Sequence, residues 1–359
     1  MLKTYQTYII KNFISKFFFI TLIFFSLIII LGSLEEVAFV KKLDVNFLYP
    51  YYLTLLNAPI TLFEIFPFIL LLTTQFLFYE LYKRDEMNVL KISGLTNLSL
   101  IKIIFLISIF LGLFNVVFFY NIASNLKFHY SNIKNNLSND NKYLAMVTKS
   151  GLWIKDEVDG KKLIIKSSLI KYNLISKTII NEFDENFELI RVIQSDNIDI
   201  ENNNWVIYNP IITKDNLSLS QDEPLIIKTN FNYEKISKLF SNISTLDIFK
   251  LLNLKKDYEK LGYSSNEILI HLLELSTVPI LYCLLVTLAS ILMFNLKKNN
   301  SMIIHLTVGF LVSVLIYYLM FFFTSLGNAG KIPIKLSIFF PMLILSAICV
   351  IGLIRINEK

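Results

Sequence analysis

The chain is poor in the residues on which most soluble enzymes rely. Among 359 residues there are two cysteines, three histidines and two tryptophans. Cys283 and Cys349 both lie inside apolar runs, which excludes a disulfide framework, a CxxC redox pair and a cysteine-based metal site. Charged residues make up 17%, against about 25% in an average soluble domain. Ten glycines and eight prolines are too few for a collagen-like chain. Hydrophobic residues account for 54% of the sequence and aromatics for 14%, with a mean hydropathy of +0.57. An apolar excess of that size exceeds what one soluble core needs and implies a polytopic membrane protein.

A hydrocarbon core of about 30 Å requires about 20 apolar residues per helix. Six stretches meet this: Phe13–Leu34, Thr54–Leu81, Leu98–Ile122, Ile268–Phe294, Met302–Leu326 and Leu336–Ile354. The first is too long for a signal peptide and runs into Glu35-Glu36 without a small-residue cleavage site, so it reads as a retained span. Pro59 and Pro67 in the second, and Pro279 in the fourth, predict helix kinks. Glu64 and Glu274 are the carboxylates inside the spans; either function or a hydrogen bond to a neighbouring helix accounts for each.

The net charge of +6 lies on the hydrophobic parts. Residues 123–267 hold 19 basic and 19 acidic side chains, and the rest of the chain holds 15 and 9. Basic residues that flank apolar runs are topology signals, and nucleic-acid binding is not indicated. Eleven Lys and Arg lie on the side of the termini and of the second and fourth connectors, against four (Lys41, Lys42, Lys331, Lys335) on the other. The positive-inside rule then predicts cytoplasmic termini and an extracytoplasmic middle segment.

In that segment, after a helical stretch at Ser124–Leu137, the apolar period changes to two. Strands are predicted at Leu144–Thr148, Leu152–Lys155, Leu163–Lys166, Thr178–Phe183, Leu189–Ile193, Ile198–Ile200, Trp205–Tyr208 and Leu225–Phe231. Short strands with turn clusters between them predict a β-sandwich or jellyroll. Thr245–Leu261 predicts a helix whose Leu246, Phe249, Leu252, Leu254 and Tyr258 form one apolar face. The organisation is thus residues 1–122 with three spans, an inserted β domain over 123–267, and residues 268–359 with three more.

Catalytic motifs are missing. GlyLys occurs only at Gly160-Lys161 and Gly330-Lys331, without the upstream glycine of a phosphate-binding loop, and there is no GxSxG or HExxH. His271 and Glu274 share a helix face at i,i+3, but no second histidine completes a metal pair. No cofactor is indicated, and nucleotide hydrolysis is expected in a separate partner.

The connector Glu80–Gly94, ELYKRDEMNVLKISG, carries Lys83 and Arg84 beside Asp85 and Glu86, with apolar Leu81, Met87, Leu90 and Ile92 ahead of a stop at Gly94. It predicts a short amphipathic helix able to relay motion from a soluble partner. Together with NAPITLFEIFP (Asn57–Pro67), the phrase DEMNVLKISGLT (Asp85–Thr96) resembles the LptF/LptG lipopolysaccharide-export permeases, also called the YjgP/YjgQ family. GLWIKD (Gly151–Asp156), NNNWVIYN around Trp205 and the return segment Ser244–Pro279 extend the likeness across the chain, nearer to the LptG branch.

The resemblance implies one half of an ABC-type exporter that extracts lipopolysaccharide from the inner membrane. Its implied partners are an LptB-like ATPase dimer, an LptF-like sister permease, and LptC- and LptA-like periplasmic proteins that continue a jellyroll bridge. It assigns ATPase coupling to Glu86, with Arg84, Met87, Leu90 and Ile92 in the contact. It offers Lys41, Lys42, Glu64 and Trp153 as lipid-binding residues. The chain departs from the family at Gly32-Ser33-Leu34-Glu35-Glu36, where a basic residue is usual, and at Leu273–Pro279, which has no cation. Lipid-phosphate contacts are then expected from the sister subunit. A membrane-anchored assembly or sensor protein is the alternative, predicting no ATPase partner; an ion-coupled transporter would need more polar residues in the spans.

Overall fold

The computed structural model describes residues 3–41, 46–137, 152–158, 160–171, 173–214, 217–233, 236, 243–260, 264–295 and 302–357. These divide into two compact units, Met1–Lys127 with Asn266–Lys359, and Phe128–Ser265.

Six helices of the described residues are long and apolar enough to cross a membrane: Thr4–Val40, Tyr49–Lys83, Asn97–Lys134, Asn266–Phe294, Ile303–Asn328 and Ile334–Asn357, here spans 1 to 6. Several outlast the apolar runs that signal them. Span 1 has 37 residues, about 55 Å at 1.5 Å per residue, so its ends project beyond a hydrocarbon core of about 30 Å. Once nucleated, the helix continues into the polar flanks.

Backbone polar groups in the spans are handled locally. The hydroxyls of Thr54, Thr73, Thr74, Ser108, Thr287 and Ser290 each donate to the carbonyl four residues back. Just before Pro279, Ser276 and Thr277 donate to the carbonyls of Leu273 and Glu274 in the turn that the proline disturbs. Span 3 meets span 4 at this kink. A Cβ on Gly112 would stand 2.6 Å from Pro279 Cα, so only glycine permits the approach. One turn on, Asn115 Nδ2 donates to Tyr282 Oη at 2.5 Å, and the helix widens to a π turn over Asn115–Phe119.

Among the described residues the second unit carries nine antiparallel strands: β1 Leu152–Val158, β2 Lys161–Lys171, β3 Leu174–Phe183, β4 Leu189–Ser195, β5 Asn197–Asp199, β6 Asn204–Tyr208, β7 Ile211–Lys214, β8 Leu217–Ser220 and β9 Leu225–Lys228. The order is β8-β7-β4-β3-β5-β6-β9, with β2 on the other edge of β3 and β1 beyond it. The registers show a meander creased along one line. β3 pairs with β5 at Leu174–Ile175 and with β4 from Thr178 onward. β4 and β5 break at Asp196, β6 and β7 at Asn209-Pro210, and β8 and β9 at 221–224; these breaks lie opposite one another. Lys177 and Asn209 on the crease have φ of 52° and 46°, in the left-handed region.

This curled sheet, inserted between spans 3 and 4, is the expected jellyroll-like domain. Its inward side chains, among them Ile165, Ile180, Ile193, Ile198 and Trp205, are fully buried. Trp205 Nε1 donates to Phe231 O at 2.7 Å, so its one polar atom is satisfied inside the core. The predicted strand Leu144–Thr148 lies outside the described residues. β7 and β8 were not signalled by the sequence.

The helix before span 4 corrects one expectation. A 3₁₀ turn at Ile243–Thr245 precedes it, and the α-helix covers Ile248–Lys260, with Asp247 Oδ1 accepting from Lys250 N at 2.9 Å. Leu246 thus falls outside the helical register. Leu251 and Leu254 are buried while Phe249 is 76% exposed and Leu252 is exposed, so the buried stripe runs through 251 and 254 instead.

Candidate functional site

The connector between spans 2 and 3 folds as a seven-residue helix, Glu86–Ile92, held rigidly at both ends. Asp85 turns the chain with φ of 56°. At the other end Gly94 takes φ of 82°, with Gly94 N–H donating to Lys91 O and Leu95 N–H to Leu90 O, at 2.9 and 3.1 Å. Those two bonds form a Schellman cap, which only a left-handed residue at position 94 permits without strain. Thr96 Oγ1 then accepts from Ser99 N–H at 3.2 Å and starts span 3.

The helix is also tied to span 1. Glu86 Oε2 accepts from Tyr8 Oη at 2.7 Å, and Arg84 Nη1 lies 3.9 Å from Glu86 Oε1. Glu80, one turn before the end of span 2, pairs with both Lys16 of span 1 and Arg84. Five polar side chains therefore join span 1, span 2 and the short helix. Such partly exposed pairs add about 1 kcal/mol or less each to stability; their value is positional. The links from span 1 carried no signal, because Tyr8 and Glu86 are 78 residues apart.

The apolar residues of the helix divide. Met87, expected to project toward a partner, is 1% exposed and packs into the core of the spans; Leu90 is partly buried against the same core. Ile92 is 87% and Val89 62% exposed, so these two form the outward apolar pair. The spacing explains this: Met87 and Leu90 at i,i+3 share the inner face, and Val89 and Ile92 share the outer one.

The lipid candidates are dispersed. Lys41 caps the end of span 1 and is exposed, and Lys42 lies outside the described residues. Glu64 is exposed on span 2, within electrostatic reach of Lys127. Trp153 points outward from β1 with Lys166 Nζ 4.9 Å above its ring. Separately, a cleft of about 400 Å³ opens between spans 1 and 2, walled by Phe24, Leu27, Leu31 and Ile65, with Glu35 and Asn57 on its lining. Its two carboxylates, Glu35 and Glu36, stand where the resemblance implies a cation.

Glu274 is accounted for within the bundle. Its Oε1 accepts from Thr324 Oγ1 of span 5 at 3.0 Å, and its Oε2 lies 3.7 Å from His271 Nδ1. His271 Nε2 is 2.9 Å from Tyr120 Oη, so spans 3, 4 and 5 share one polar chain. Gln75 Nε2 of span 2 donates to His305 O of span 5 at 3.1 Å. Among the described residues no cluster of three or more His, Cys, Asp or Glu side chains is arranged to hold a metal ion.

No individual curated protein matches the sequence. The family model for the lipopolysaccharide export system permease LptF/LptG matches residues 7–355, which takes in all six spans, the short helix and the β domain. That match covers nearly the whole chain in one piece, and the chain therefore belongs to the LptF/LptG family of lipopolysaccharide export permeases.

Proposed function

We propose that this protein is the LptG-type permease subunit of an ABC-type exporter that draws lipopolysaccharide out of the inner membrane and passes it to a periplasmic jellyroll bridge. The family match over residues 7–355 carries the export-permease part of this reading, and the phrases GLWIKD and NNNWVIYN favour the LptG side. Both termini and the Glu86–Ile92 helix are cytoplasmic in this account, residues 123–267 are periplasmic, and the spans of 1–122 and 268–359 form half of the lipid pathway. The lysine and arginine distribution supports that orientation.

The short helix is the seat of coupling to an LptB-like ATPase dimer. Val89 and Ile92 offer the ATPase an apolar contact, Arg84 a cation, and Met87 and Leu90 anchor the helix to the spans. Glu86 joins that contact to span 1 through Tyr8. Closure of the ATPase would thereby tilt span 1 as a lever and not only press on a loop. The step needs external energy, since each methylene leaving the bilayer core costs about 0.8 kcal/mol until it is covered again. The inward isoleucines of the β domain are buried, so acyl chains enter it by parting the sheet. An LptF-like sister subunit completes the pathway and supplies the phosphate contacts; LptC- and LptA-like proteins receive the lipid.

Affinity purification of the tagged full-length chain from its native membrane tests the assembly. Recovery of a stoichiometric ATPase and a second six-span permease is the expected result. Recovery of the chain alone, under conditions that keep it folded, contradicts the proposal.

A further inference from the structure

The crease of the β domain holds a second site. A cleft of about 450 Å³ opens where β3, β4, β5, β6 and β7 change partners, lined by exposed residues of the sheet together with the buried Thr178 and Ser195. Its size falls within the range of small-molecule sites, about 300–1,000 Å³. Lys177, Gln194, Asp196, Asn197, Tyr208 and Asn209 surround it, with Ile179 and Ile211 as apolar walls. The floor is fixed. Ser195 Oγ lies 2.6 Å from Tyr208 O and 3.0 Å from Asn197 O, and Thr178 Oγ1 donates to Ser167 Oγ at 3.1 Å. The left-handed backbone at Lys177 and Asn209 places those two residues at the rim.

The chemistry of the lining defines the ligand. The six polar side chains make no side-chain hydrogen bond or ion pair within the described protein, so a ligand finds their donors and acceptors unused. One ammonium and one carboxylate leave the cleft without net charge, which disfavours an isolated phosphate. Three side-chain amides both donate and accept, Asp196 accepts and Lys177 donates, a set suited to hydroxyl groups that do both. Tyr208, 44% exposed, offers a ring face to an apolar surface. A peptide added as a further strand has no ladder to join, since Thr178–Ser195, Gln194–Ile211 and Asn197–Tyr208 are already paired.

We infer that this cleft is a saccharide-binding site that holds a sugar of the exported glycolipid while its acyl chains are handled elsewhere. The identity of the carrier lipid rests on the export reading; the sugar chemistry rests on the cleft.

The test uses the full-length protein in nanodiscs, titrated calorimetrically with acyl-free oligosaccharide released from purified lipopolysaccharide by mild acid. Saturable binding is expected, at least ten-fold weaker for Tyr208→Ala and for Asp196→Ala combined with Gln194→Ala. Tyr208→Phe retains the ring face and is expected to bind within two-fold of the parent, with unchanged thermal unfolding in all three variants. Absence of saturable binding, or equal binding by the parent and Tyr208→Ala, overturns the site. Equal affinity for a dextran oligosaccharide overturns its assignment to the lipid-borne sugar. ATP turnover stimulated by intact lipopolysaccharide, read in parallel on the purified complex, separates the two proposals. Stimulation without oligosaccharide binding defeats only the saccharide site, and binding without stimulation defeats the export reading.

Discussion

The two units of this protein solve the same problem, a polar group away from water, in different ways. Within its spans the helical unit returns many hydroxyls to their own backbone and joins helices through contacts such as Asn115 to Tyr282, while its ion pairs gather around Glu80 and Glu86 at the end of span 2. The β unit buries a full charge inside a set of ion pairs. Glu182 has a side chain 3% exposed and is paired with Lys161 Nζ at 2.7 Å and Arg191 Nε at 2.6 Å. The difference follows from the surroundings. A charge deep among lipid-facing helices has no water at its rim, whereas both cations of Glu182 remain partly solvated. Helix packing and short neutral bonds carry much of the bundle, and a charged triad anchors the β domain.

That contrast has consequences that measurements can break or sharpen. The largest expected effect is steric. Gly112→Leu places a side chain against the Pro279 backbone and should cost about 3 kcal/mol, seen as loss of folded protein in detergent. Full retention would mean that the span 3–4 crossing is not tight. Next is Glu182→Gln, expected to cost about 2 kcal/mol by chemical denaturation. Burial pushes the Glu182 carboxyl up, but hydrogen bonds and charges from Lys161 and Arg191 outweigh this and hold it below its ordinary value. Its contribution is therefore fully present above about pH 4.5 and is lost as the pH falls through the lower, folded-state value. The parent should show an acid-dependent loss of β-domain stability that Glu182→Gln lacks. An identical acid profile would remove the charge from the account.

Asp247→Ala comes third, at about 1 kcal/mol, through the lost cap at Lys250 N. Hydrogen exchange confined to residues 248–260 would report it. The smallest effect is that of Asn115→Ala, about 0.6 kcal/mol, since interhelical bonds in membranes are modest. A cost several times larger would show that the bundle relies on polar pairing after all.

How much of this was legible beforehand follows the range of the interactions. The six spans stand out because 20 successive apolar residues need no tertiary context. The short helix between spans 2 and 3 stands out because Gly94 and the charges at 83–86 are local. β7 and β8 were missed because Leu217–Ser220 is exposed at all four positions and Ile211–Lys214 has no fully buried one, leaving no buried face to impose alternation. The crease was invisible for another reason: it depends on breaks near 177, 196, 209 and 221 lying opposite one another, a property of register. The inward turn of Met87 and the Tyr8–Glu86 bond were equally out of reach, since the partner surface comes from distant sequence. Local signals located the candidate site, while its wiring to span 1 is tertiary.

That wiring is the claim on which the account stands, and ATP-driven lipid extraction is its most direct test. The complex of this chain with its ATPase and sister permease is placed in liposomes, and release of lipopolysaccharide to a soluble acceptor is followed alongside ATP turnover. Glu86→Ala is expected to lower release at least ten-fold, with ATP turnover no longer stimulated by the lipid. Parental release and turnover in that variant, with the complex intact, would contradict the role assigned to the short helix.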